Sequence, residues 1–216
     1  MMWSWPFVQE ILPQLLRGLL VTVQATLLGY LLALVLGLAV AVLRRSAGRV
    51  TGQVLRWAVE FVRSTPLLVQ LFFLFYVLPG FGVTLSPLTT GVIGLGVHYA
   101  AYTSEVYRAG IESVPRGQWE AATALNLPTR RLWLGVVLPQ AVPKVIPALG
   151  NYVVAMFKDS ALLLAITVPE LLHEAYDVGS TSFRMLEPMT LVGLLFVAVS
   201  VLAGLFVRRL ERRYGN

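Results

Sequence analysis

The chain predicts an all-α membrane protein with about five transmembrane helices. Three observations carry this. Hydrophobic residues make up 57% of its 216 positions and charged residues only 13%; with a mean hydropathy of +0.74, it is too apolar for a soluble domain of this size. Apolar stretches recur at a length close to the roughly 20 residues that carry a helix across a bilayer. Basic residues gather between those stretches.

The spans fall near 19–43, 56–79, 86–109, 139–165 and 188–208 within one transmembrane domain, 1–216. The first runs unbroken into Arg44-Arg45. The second is interrupted by Thr65-Pro66, because proline removes a backbone donor and disfavours helix in the residue before it. The third carries Glu105. In the fourth, Pro139, Pro143, Pro147 and Gly150 precede Asn151, Tyr152 and Lys158-Asp159-Ser160. The fifth ends at Arg208-Arg209. Broken helices at membrane depth persist only where protein or a water-filled cavity satisfies the freed backbone groups, so they point either to a translocation path or to proline-kinked packing. The stretch from about 170 to 187, with His173, Glu174, Asp177, Arg184 and Glu187, reads as an outer loop or short surface helix.

Three basic clusters set the orientation. Arg44, Arg45, Arg49, Arg56 and Arg63 follow the first span; Arg108, Arg116, Arg130, Arg131 and Lys144 surround the third-to-fourth connection; Arg208, Arg209, Arg212 and Arg213 follow the last. Together they hold 14 of the 17 basic residues. Since such clusters stay cytoplasmic, the N-terminus is expected outside and the C-terminus inside. Trp3, Trp5 and Phe7 then suit the outer interface. The net charge of +6 follows this topology and gives no reason to expect nucleic acid. Trp3, Trp5, Glu10 and Arg17 break any signal-peptide pattern, so the first span is expected to remain as an anchor.

Catalysis finds no support. The chain has no cysteine and two histidines, His98 and His173, which leaves no thiolate or histidine metal set. It has no Gly-x-Ser-x-Gly elbow, and its only lysines, Lys144 and Lys158, follow Pro143 and Phe157, so no nucleotide-binding Gly-Lys-[Ser/Thr] exists. If ATP energises the protein, another subunit binds it.

One short helix suits docking. Glu120-Ala121-Ala122-Thr123-Ala124-Leu125-Asn126 is a run of small residues on the expected cytoplasmic side. Glu120 opens it, Asn126 can take the left-handed conformation that ends a helix, and Pro128 stops continuation. Its other reading is an ordinary short cytoplasmic helix.

Ionisable groups within spans are costly and mark function by default, which singles out Glu105 and Lys158-Asp159. Tyr152, Met156 and Asp159 share one helical face. Competing structural readings stand beside these: Lys158 with Asp159, and Glu105 with Arg108, as simple ion pairs; Gln70 as pore-facing group or as helix–helix glue; His98 as a packed polar residue.

Three motifs carry a family resemblance: Glu60-Phe61-Val62-Arg63-Ser64-Thr65-Pro66-Leu67-Leu68-Val69-Gln70, Tyr102-Thr103-Ser104-Glu105-Val106-Tyr107-Arg108-Ala109-Gly110-Ile111, and Val114-Pro115-Arg116-Gly117-Gln118-Trp119-Glu120-Ala121-Ala122. They resemble the membrane permease of polar amino-acid ABC importers, over nearly the whole chain. A closer resemblance is to ectoine and hydroxyectoine permeases, through Ala124-Leu125-Asn126-Leu127, Gly150-Asn151-Tyr152, Ile166-Thr167-Val168 and Leu186-Glu187-Pro188-Met189-Thr190. The resemblance implies a type I ABC importer permease whose coupling helix, near 117–126, sits in an ATPase groove through Glu120, Ala121, Ala122, Leu125 and Asn126. Asn126 stands where the family usually has glycine, and Tyr152 where many members have glutamate.

The residues expected along a solute path are Gln70, Tyr102, Glu105, Tyr152, Met156 and Asp159. No cofactor is expected on this chain, with ATP and Mg on the partner ATPase. The expected partners are two ATPase subunits, a second permease copy or paralogue, an extracytoplasmic solute-binding protein and membrane lipid, in a bacterial inner membrane. The expected solute is a small zwitterion of the ectoine type, or alternatively a polar amino acid. A solitary ion-coupled carrier is the reading from another class; it calls for internal repeats, and none is evident.

Overall fold

The computed structural model describes residues 3–214, and every regular element among them is helical. Helix α1, Trp5–Ser46, is 42 residues long. Ser4 caps it by accepting from the Phe7 amide, Pro6 fills its first turn, and Arg44 and Arg45 face its negative C-terminal end. It begins well before residue 19 because Gln14 and its neighbours are held rather than solvated: the Gln14 amide donates to Glu174 at 2.7 Å.

The buried stripe of α1 is made of small residues, Gly18, Thr22, Ala25, Gly29, Ala33, Gly37 and Ala41, three or four apart. It lets the central helix α4, Pro87–Glu112, approach at backbone distance. A Cβ on Gly37 would lie 2.0 Å from Thr103 Oγ1, and that hydroxyl donates to the Ala33 carbonyl at 2.9 Å. Helix pairs in lipid associate by this kind of close packing, since lipid tails give no hydrophobic drive between helices.

Between α1 and α4 the chain forms α2, Arg49–Ser64, and α3, Leu67–Phe72, which continues as a π-turn over Phe73–Val77 and a 3-10 turn over Leu78–Phe81. The predicted second span is therefore not a single rod. It bends by 102° at Thr65-Pro66, where Pro66 is fixed in an extended conformation.

Past α4 come α5, Arg116–Ala124, the single turn α6, Thr129–Arg131, a π-helical stretch over Leu132–Val137 and α7, Leu138–Asp159. The prolines of the fourth span do not break it: Pro143 and Pro147 lie inside a continuous α7. The irregular turns instead flank it, π before and 3-10 after, over Ser160–Ile166.

The stretch expected as an outer loop contains α8, Leu171–Thr181, and it is docked rather than superficial. Leu171, Ala175 and Val178 pack with Ile11 and Leu15 of α1. Glu170 caps α8 by accepting from the Leu172 and His173 amides. Helix α9, Leu186–Tyr214, closes the bundle.

Three segments, Trp5–Ser46, Thr129–Ile166 and Leu186–Arg213, are long and apolar enough to cross a membrane, and the bent α2–α3 pair makes a fourth. Helix α4 covers the third expected span at full length, but its buried face carries Thr90, His98, Thr103 and Ser104. Its central core neighbours are Leu67, Leu71, Met156 and Leu163.

Candidate functional site

Where α4 meets α7, three tyrosines form a wall. Ring centroids of Tyr99 and Tyr152 are 5.9 Å apart and those of Tyr102 and Tyr152 5.8 Å, all in edge-on or tilted arrangements. Helical spacing produces the wall: Tyr99 and Tyr102 are three residues apart on α4, so both face α7. Tyr99 Oη donates to Asp159 at 2.7 Å, so one edge of the wall ends in a carboxylate. No ion pair joins Asp159 to Lys158 among the described residues, and Lys158 is exposed.

The other edge ends in a cation. The Arg63 guanidinium lies 5.3 Å from the Tyr102 ring centroid, and the Tyr102 hydroxyl donates to the Arg63 carbonyl at 3.4 Å. Among the described residues the ion pairing of Arg63 is limited to a long 3.7 Å contact with Glu60. Sequence reading placed Arg63 among the orienting charges. The bend at Thr65-Pro66 turns it onto the wall, and its position just before Pro66 was the available signal.

The remaining path candidates are sorted by their partners. Gln70 donates to the Val62 carbonyl at 2.8 Å and the Thr65 carbonyl at 3.0 Å where α2 breaks, the former also accepting the Thr65 amide at 3.4 Å. Its carbonyl oxygen lies 3.2 Å from His98 Nδ1. Gln70 is therefore the strap across the bend, the helix-glue reading. Met156 is fully buried in one core cluster with Leu95 and Leu71. Glu105 is held by Arg44 and by Arg108, the latter at 2.7 Å, while Arg108 also pairs with Glu112. It joins α1 to α4 at the arginine-rich end, beyond the pairing with Arg108 that its spacing suggested.

Helix α5 sits at that same end. It starts at Arg116, so Glu120 lies within it rather than opening it. Its far end is as expected: Asn126 has φ 48, and the Leu127 amide returns to the Ala122 carbonyl at 3.0 Å. Ala122 is buried; Glu120, Ala121, Leu125 and Asn126 are exposed, Leu125 to 72%. Trp119 meets Trp133 edge-on at 5.7 Å, and Arg45 of α1 lies over both rings, 4.8 and 5.4 Å from their centroids. This clamp ties α5 to the end of α1 and was not anticipated. The described residues contain no group of acids and histidines able to hold a metal.

A bent helix pair around a central polar helix, with a short exposed helix at the charged end, is the type I ABC permease fold. Residues 33–216 match the family described as binding-protein-dependent transport system inner membrane component, and the chain belongs to it. It is 46% identical over 202 residues to a probable amino-acid ABC transporter permease of Sinorhizobium fredii, covering 94% of this chain and 87% of the relative. It is 35% identical to the L-cystine transport system permease of Bacillus subtilis, covering 96% and 92%. With the glutamine transport system permease of Escherichia coli the identity is 30%, covering 99% and 98%. The crystal structure of an amino acid ABC transporter with histidines superposes with a TM-score of 0.92 at 30% identity, covering 99% of this chain and all of that one. Relatives of this kind are permease subunits, with ATP hydrolysis on a separate subunit. The ectoine-type expectation finds no support among them.

Proposed function

We propose that the chain is the permease subunit of an ATP-driven importer of a polar amino acid. The observation that carries this reading is the tyrosine wall bounded by Asp159 and Arg63. A zwitterion presents an ammonium that suits Asp159 and the ring faces, and a carboxylate that suits a guanidinium. Tyr152 in place of a second carboxylate leaves the wall without the extra negative charge that a strongly cationic side chain favours.

In this reading the arginine-rich end is cytoplasmic, the N-terminus is outside, and α5 inserts Leu125 and its small residues into an ATPase. Two ATPases, a second permease and an extracytoplasmic solute-binding protein complete the importer. ATP and Mg belong to the ATPases. ATP binding brings the paired docking helices together and opens the path outward, and hydrolysis returns it.

The test is uptake by proteoliposomes holding the chain with the permease, ATPase and binding protein encoded beside it, offered labelled cystine, glutamine, arginine and ectoine with and without internal ATP. ATP-dependent uptake of an amino acid supports the proposal. Preferential uptake of ectoine returns the solute to the compatible-solute class, and transport by this chain alone under an ion gradient overturns the importer reading.

A further inference from the structure

The turn joining α1 to α2 encloses a cavity of about 540 Å3 between those two helices and α4. Arg44, Arg45, Arg49, Arg56 and Arg108 line it, against one carboxylate, Glu112. Three of the five guanidinium groups are committed: Arg44 to Glu105, Arg108 to Glu105 and Glu112, and Arg45 to the tryptophan pair. Arg49 and Arg56, one above the other at a spacing of seven on α2, take part in no ion pair among the described residues. Gly48 caps α2 without a side-chain hydrogen bond, so the amides of the first turn in the cavity wall are unclaimed by a capping group.

The adjacent face of α2 is apolar and bare. Val50, Val54, Trp57 and Phe61 recur at spacings of four, three and four, and each is more than 60% exposed. A soluble ligand needs the cations but not this stripe. A lipid needs both.

We propose that this cavity holds the headgroup of an anionic phospholipid. Its phosphate lies between Arg49 and Arg56, and its acyl chains run along Val50, Val54, Trp57 and Phe61. Juxtamembrane guanidinium groups attract anionic lipid by roughly 1 kcal/mol each, and here two of them are fixed on one helix face rather than spread over a loop. The site lies apart from the tyrosine wall and stands whatever the transported solute is.

The experiment is native mass spectrometry of the purified full-length chain, released from detergent containing equal amounts of phosphatidylglycerol and phosphatidylcholine with matched acyl chains. Selective retention of phosphatidylglycerol is expected. In the Arg49→Gln, Arg56→Gln double variant the selectivity should fall by roughly tenfold or more, while Arg49→Lys, Arg56→Lys keeps most of it. An unchanged melting temperature in both variants shows that the loss is not one of folding. Equal retention of the two lipids by the native chain overturns the proposal. So does selectivity that survives in the glutamine variant, or binding of inorganic phosphate that displaces no lipid. Loss of ATPase co-purification by the glutamine variant with lipid selectivity intact assigns the face to the ATPase instead.

Discussion

Tyr99 Oη and Asp159 Oδ2 lie 2.7 Å apart, joining the middle of α4 to the last residue of α7. The bond fixes a carboxylate at the edge of an aromatic surface. Tyr99 is itself almost fully buried, so the carboxylate is oriented by a group that cannot swing away.

Asp159→Asn should lower uptake by roughly ten- to a hundredfold, the range for losing a charged hydrogen-bonding partner. Assembly with the ATPase should persist, since Asp159 lies far along the chain from α5. Tyr99→Phe should give a smaller loss, because it leaves the charge and removes only its orientation. Initial uptake rates with co-purified ATPase as the control would check both.

Arg63→Gln should raise the half-saturating solute concentration for uptake by about tenfold, and Arg63→Lys should restore only part of the loss, because a lysine keeps the charge without the planar fork. A purely structural Arg63 would instead lower the yield of folded protein and leave the saturation curve unchanged. The concentration dependence of uptake separates the two.

Gln70→Leu removes donors from two carbonyls at the α2–α3 break and the partner of His98 Nδ1. The expected cost is about 1–3 kcal/mol, read as a lower melting temperature in detergent. Gln70→Glu, which loses the donating amide but keeps the size, should fall on the same side of the native protein.

Gly37→Leu should be more damaging than Gln70→Leu. Even a Cβ would meet Thr103 Oγ1 at 2.0 Å, and turning that hydroxyl away would still leave the Ala100 carbonyl at 3.0 Å and the Ser104 amide nitrogen at 3.1 Å, both backbone. Overpacking on this scale costs about 1–3 kcal/mol or more. Loss of the monodisperse species in size-exclusion chromatography would report it.

Glu170 predicts a pH dependence. Burial pushes its carboxyl up to about 7 from 4.5, against the pull of the amides it caps. Folded protein then keeps a proton that the unfolded chain has released, so this group's contribution to stability is complete below about pH 4.5 and is lost as pH rises through about 7. The melting temperature should fall across that window, and Glu170→Gln should flatten the slope.

The all-helical class and the left-handed end at Asn126 were legible because apolar length, glycine and proline chemistry, and capping act locally. The Thr65-Pro66 break was legible for the same reason, but its angle was not. A 102° bend at Pro66 is held by the carbonyls that Gln70 ties down, and that is a tertiary fact. Arg63 was missed because a cation near a span end has an adequate topological explanation until the bend brings it to Tyr102. The burial of Met156 was not legible because helical phase puts it on the same face as Tyr152 and Asp159 without saying how deep each residue sits. The prolines of α7 misled in the opposite direction: Pro139, Pro143 and Pro147 recur every four residues on one side, leaving the rest of the ladder to carry the helix.

Helix α4 has a bearing on how the protein is made. Its Thr90, His98, Thr103 and Ser104 are buried against neighbouring helices, and it is not among the segments that qualify for the bilayer on their own apolarity. A translocon that sorts segments by apolarity alone has less in α4 to hold it in lipid than in α1. By the time α4 leaves the ribosome, however, α1 already stands in the membrane with the Ala33 carbonyl ready for Thr103 and a cleft at Gly37 ready for its backbone. A rearranged gene that encoded α4 ahead of α1 would keep every residue and every native contact, yet would present its least lipid-soluble segment before the surface that shelters it exists.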